Sequence, residues 1–207
     1  MADKLDLGKA IPDYLKATPK PRLIELPPLT YIGVEGSGAP GSDDFQAAIS
    51  ALYPMAWGIK MAAKFAGRDF KVMPLEGQFW PDPPGSSPAW DLSKATGMRW
   101  QLLILQPDFV GEAEMAAARA AHEARHGPTP SLGRVQLVSL NEGWVAQVMH
   151  VGAYDAEAPT IERLLAFIAA EGLQPRGRHH ELYLSDPRRV PTERLRTIIR
   201  LPVEAKR

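Results

Sequence analysis

Two ten-residue stretches, Lys71–Trp80 (KVMPLEGQFW) and Gly177–Asp186 (GRHHELYLSD), decide the reading of the fold. Each carries a glutamate inside an alternating, aromatic-flanked segment, where successive side chains point to opposite faces of a strand. The segments around them also recur in the same order. PRLIELPPLTYIGVEGSG (21–38) matches RVQLVSLNEGWVAQVMHVGAY (134–154) in pattern. The helical spacing over 45–66 matches that over 159–171, and RWQLLILQP (99–107) matches LRTIIRLPV (195–203). Each half therefore reads strand, strand, glycine loop, helix, strand, strand, as a duplicated unit of roughly 90 residues would. The expected architecture is α+β: antiparallel sheets, helices packed against them, and a central cleft on a pseudo-twofold axis. The expected organisation is an N-terminal arm over 1–20 and a single domain over 21–207. That domain holds two pseudo-repeats, about 21–110 and 133–204, joined by a helix near 112–126.

Local signals agree. Ser42, Asp43 and Asp44 are N-cap candidates for the first long helix, and Pro54 is expected to kink or end its first part. Glu112 and Glu114 open the joining helix, while Arg125 and His126 close it, complementing its dipole. Trp90 and Trp144 are assigned to loop or turn packing.

Composition excludes several function classes. None of the 207 residues is cysteine, which removes thiol nucleophiles, cysteine zinc sites and iron–sulfur clusters. Lys+Arg and Asp+Glu are both 24, a balance that argues against nucleic acid or an anionic membrane as the main partner. No apolar run approaches the roughly 20 residues of a membrane span, and the charged N-terminus does not resemble a secretory leader. A cytoplasmic protein, a monomer or homodimer with a poorly determined N-terminal arm, is expected.

Glu76 and Glu181 take equivalent places in the two matched strands, where a glutamate needs a wet face or a task. Two carboxylates on one cleft would attract a cation, or supply an acid or base near neutrality. The alternative is that each points to solvent. Tyr53 and Trp57 share a helical face, and Trp80, Trp100 and Tyr183 lie on strands. Such aromatics either wall a pocket for flat or cationic ligands or fill the core. His150 either lines the cleft or bonds to backbone. His179 and His180 point to opposite faces, so at most one joins Glu181. His122 and His126 lack an evident third ligand, so no metal and no cofactor is expected. The arginines near the C-terminus, Arg196 and Arg200 among them, read as a solvated face.

HHELYLSDPRR (179–189) followed by ERLRTIIRLPV (193–203) resembles the C-terminal signature of the GyrI-like small-molecule-binding proteins. VMHVGAY (148–154), PLEGQFW (74–80), WQLLILQPDF (100–109) and 52–60 resemble stand-alone bacterial members, so the likeness runs from about Arg22 onward. The resemblance implies tandem strand–helix–strand–strand modules of the SHS2 type. It implies a small aromatic or cationic ligand, as in multidrug-binding regulator domains, or detoxifying hydrolysis of electrophilic cyclopropanoid compounds. By position, Glu181 is then the acid–base candidate, and Tyr53, Trp80, Trp100 and Tyr183 clamp the ligand, with Glu76 a weaker second carboxylate. Gln78-Phe79-Trp80 departs from the more aromatic strand expected of close relatives. The competing readings are a sequestering binder without turnover and a gyrase-inhibitor-like protein that binds another protein.

Overall fold

The structure, a computed structural model, describes residues 4–85, 88–91 and 97–206. The first residues of the expected arm, part of the loop after Pro81, and Arg207 lie outside the described residues. Nine strands form one antiparallel sheet: β1 (Arg22–Leu26), β2 (Leu29–Ser37), β3 (Leu75–Asp82), β4 (Gly97–Gln106), β5 (Gln136–Leu140), β6 (Gly143–Val151), β7 (Leu173–Pro175), β8 (His179–Tyr183) and β9 (Arg196–Ala205). Four helices accompany them: α1 (Leu7–Ala10), α2 (Asp43–Phe65), α3 (Glu112–His126) and α4 (Ala158–Ala170).

The strand order is β1-β6-β9-β8-β3-β4-β2-β5, with β7 added to the far end of β9. From the central β8–β3 pair the order runs outward as β9, β6, β1 on one side and β4, β2, β5 on the other. The first strand of each half is exchanged: β1 pairs with β6, and β5 with β2. The fold is thus mixed α+β around a large antiparallel sheet.

α2 packs over β2 and β4, and α4 over β6 and β7. Ala51, Leu52, Met55 and Ile59 of α2 are buried against this sheet, as are Leu164 and Ile168 of α4. The middle strands β3 and β8 lie between the two helices. α2 continues through Pro54, so of the two expected effects the proline does not end the helix. Buried residues on both sides of the proline hold the helix together. α3 packs on α2. Trp144 lies in β6 with half its surface exposed, not in a turn. No described helix is long and apolar enough to cross a membrane.

The N-terminal arm is the largest departure from expectation. From Lys4 onward it crosses the sheet face opposite the long helices. Leu5 bridges to Phe70, and Tyr14 is fully buried. Tyr31 donates to the Tyr14 hydroxyl (2.8 Å), and Tyr14 donates to Glu76 Oε1 at 2.7 Å. His180 Nε2 donates to Glu76 Oε2 (3.1 Å) and Nδ1 to Glu142 Oε1 (3.0 Å). Arg200 is fully buried rather than solvated, because it donates to Gln147 Oε1 and to the Tyr14 carbonyl. Burial alone would lower the His180 imidazole, but the carboxylates of Glu142 and Glu76 raise it to about 9.

Two expected outcomes follow from this network. His180 is raised above its unfolded value, so its contribution is full below about pH 6.5 and is lost as pH rises through about 9. Urea unfolding from pH 6 to 10 is expected to show that decline, and His180→Gln to remove it. His180→Gln is also expected to cost about 3–5 kcal/mol near neutrality, because two buried carboxylates lose their cation.

Candidate functional site

The β3–β8 register decides which side chains meet. Gly77 pairs with Glu181 and Phe79 with His179, while Glu76 pairs with Leu182 and Gln78 with His180. Paired residues share a face and neighbours alternate. Glu181, His179 and Tyr183 therefore lie on the helix face, and Glu76 and His180 on the arm face. The expected equivalence of Glu76 and Glu181 is corrected by this geometry: Gly77, not Glu76, stands opposite Glu181.

Glu181 is the centre of a compact cluster. His179 Nε2 donates to Glu181 Oε1 at 2.8 Å. The Tyr183 side chain lies beside it, and a Glu157 carboxyl oxygen stands within 4.8 Å of it. Burial alone would raise Glu181, but donation from His179, the charge of that imidazole and donation from Tyr183 hold it below the usual carboxylate value. Glu157 experiences the reverse. Burial and the neighbouring Glu181 carboxylate raise it to about 9. Glu157 is 6% exposed, and no N–H or O–H of the protein reaches its Oε1. Two carboxyl groups within 4.8 Å of one another and largely out of solvent favour holding one proton between them.

Glu157 arrives on the turn between β6 and α4. That turn bends at Gly152, whose φ of +138° favours glycine. His150 fastens it: Nδ1 meets Thr160 Oγ1 (3.1 Å), and Nε2 meets the Ala153 carbonyl (3.0 Å). Of the two roles open to His150, the structure gives it the backbone bond. Glu157 makes no cap bond to α4 and reaches Glu181 instead. The same turn brings Tyr154, 40% exposed, edge-on to Tyr183 with ring centroids 5.6 Å apart. Nothing in the spacing of the sequence marks Glu157; its role depends on a turn joining distant strands.

The other expected site residues separate into groups. Tyr53 and Trp57 lie on α2 with 37% and 51% of their surface exposed. Burial and the Asp186 carboxylate raise the Tyr53 hydroxyl, which places Tyr53 beside the loop that follows β8. Trp80 points to the arm face, where the Arg178 guanidinium stacks 3.5 Å from its ring centroid. Trp100 is fully buried, edge-on to Phe45 under α2, and belongs to the core. Neither tryptophan joins Glu181. Phe79 does lie near the cluster, 6.4 Å from the His179 ring.

Among the described residues, Glu157, His179 and Glu181 are the group whose ligand atoms all lie within 4.8 Å of one another. One imidazole and two carboxyls can therefore share a proton or a small cation. A large antiparallel sheet that carries such a cluster beside its helices is the frame of a candidate small-molecule-binding domain.

The comparisons give the class its family. Residues 102–204 match the GyrI-like small molecule binding domain. An uncharacterized conserved protein from Listeria innocua is 34% identical, with a TM-score of 0.87, covering 97% of this chain and 100% of that one. A hydrolase from Listeria innocua is 33% identical, with a TM-score of 0.85, covering 98% of this chain and 100% of that one. The EcmrR C-terminal domain shares the fold at 13% identity, with a TM-score of 0.55, covering 90% and 98%. No curated protein matches the sequence. The chain belongs to the GyrI-like small-molecule-binding family.

Gly77 makes room for this cluster. A Cβ there would sit 2.8 Å from the Phe79 ring and 3.2 Å from the Tyr183 hydroxyl. Gly77→Ala is expected to displace both side chains and to cost about 1–3 kcal/mol by overpacking, measured by urea unfolding. A variant as stable as the parent would show that the two rings yield without strain.

Proposed function

We propose that the protein hydrolyses small electrophilic compounds of the cyclopropanoid class at Glu181, with Glu157 as the acid partner. The observation that carries this reading is the pair of carboxyl groups, within 4.8 Å of one another, whose surroundings push their pKa values apart. The likeness over 98% of the chain to a hydrolase from Listeria innocua supports it. The ligand would be flat and apolar or cationic, held by Tyr183, Tyr154 and Phe79, with Tyr53 and Trp57 of α2 along one wall.

A cyclopropane conjugated to a dienone is already electrophilic, so positioning and proton transfer suffice. The Glu181 carboxylate takes a proton from water as the water oxygen bonds to a ring carbon. The strained carbon–carbon bond breaks, and its electron pair moves through the dienone to the carbonyl oxygen. Glu157 gives its proton to that oxygen. The pair then holds one proton, on Glu181, and its return to Glu157 restores the starting state. His179 and Tyr183 hold the Glu181 carboxylate in place throughout.

The test is mass spectrometry of an activated spirocyclopropane dienone incubated with the protein. Multiple turnovers to the water adduct are expected. Glu181→Gln and Glu157→Gln are each expected to lower the rate at least about 100-fold. Binding of the compound without turnover by the parent protein would overturn hydrolysis in favour of sequestration. Unchanged turnover in both variants would remove the glutamates from the chemistry.

A further inference from the structure

The position between Glu157 and Glu181 is short of positive charge. Glu157 Oε1 is shut off from solvent and meets no protein donor, although the residue is 94% buried by its 6% exposure. The neighbouring Glu181 oxygens are acceptors when ionised, so they cannot satisfy it. A single proton fills this gap in the metal-free protein. A divalent cation would fill it more completely, because two carboxylates and a neutral imidazole balance a charge of two.

The donor set also specifies which cation. An imidazole with two carboxylates suits zinc and its neighbours, whereas magnesium and calcium prefer oxygen donors alone. Zinc sits about 2.0–2.2 Å from such ligand atoms, which sets them roughly 3.4 Å apart on a tetrahedron. The three ligand atoms here lie within 4.8 Å of one another, and His179 Nε2 and Glu181 Oε1 are 2.8 Å apart. Closing the wider gaps and opening the short one takes side-chain shifts of about an ångström or less. The ligands stand on two elements, strand β8 and the turn before α4, so the backbone already supports the arrangement.

We infer that Glu157, His179 and Glu181 form a binding site for a divalent transition-metal ion of the zinc class, with a further coordination position open to solvent or ligand. The site goes beyond the hydrolase reading and does not depend on it. Where that reading holds, metal and shared proton exclude one another, and the bound ion blocks the acid–base pair.

The test is titration of the full chain, freed of metal with a chelator, with Co2+ alone. Its visible absorption reports four- or five-coordinate binding, and Zn2+ should displace it. One equivalent with a saturable band is expected. Glu157→Gln and His179→Gln are expected to weaken binding at least about tenfold. Their folds are checked by unfolding without metal. His122 and His126 stand with ring centroids 4.6 Å apart on α3 and are the rival site. The double variant His122→Ala with His126→Ala is expected to leave the band unchanged. Absence of a band, loss of the band in that double variant, or full binding by Glu157→Gln would each overturn the assignment. Turnover of the cyclopropane in chelated buffer is read separately, so failure of the metal site and failure of the hydrolase reading remain distinct.

Discussion

Four residue pairs between β3 and β8, from Glu76 with Leu182 to Phe79 with His179, join the two halves of the sheet. Everything chemical in the molecule depends on their register. With the strands paired this way, Glu181, His179 and Tyr183 face the gap between α2 and α4. Glu76, Gln78 and His180 face the N-terminal arm. A slip of one residue would exchange the two sets, because strand side chains alternate with a period of two. The register is fixed on both sides by shape and polarity. Gly77 accepts the Phe79 ring and the Tyr183 hydroxyl above it, and Glu76 meets two polar neighbours, Tyr14 and His180, below.

The arm side of the sheet is a closed polar network. His180 lies between Glu142 and Glu76, and Tyr14 and Tyr31 complete the chain of donors. Placing charges there is expensive, and removing any one of them leaves the rest uncompensated. Burial, then the charge of Glu76, keeps both tyrosine hydroxyls well above their ordinary pKa, so they remain donors. The arm is thus an integral layer, and it fixes strand β8 from behind while the front carries Glu181.

The strands and long helices were legible because alternation, helical spacing and caps act locally. Glu112–His126 matched its charge pattern end to end. The matched segments of the two halves follow one another outward from the β8–β3 pair in the same order. Pattern matching could not fix the correspondence to one residue, however, and a one-residue error moves Glu76 to the wrong face. Arg200 was misread as solvated because its guanidinium meets the Tyr14 carbonyl of a segment 186 positions away. Glu157 was invisible because a solvent-friendly residue type in a turn carries no periodicity. β7, three residues long, gives too short a pattern to read.

The two faces of the sheet use the same residue types and reach opposite electrical states. On the arm face a histidine sits between two glutamates and becomes their cation. On the helix face His179 lies to one side of Glu181, and a Glu157 carboxyl oxygen stands within 4.8 Å of it. With no cation between them, the two carboxyls must hold a proton. Glu181 receives bonds from His179 and Tyr183 and stays ionised, whereas Glu157 has only its neighbour and retains the proton. The uneven supply of donors is therefore set by the turn that His150 fastens, which delivers Glu157, as much as by the strand that carries Glu181. A binding fold holds a shared proton when a loop delivers one more carboxyl than the local donors can satisfy.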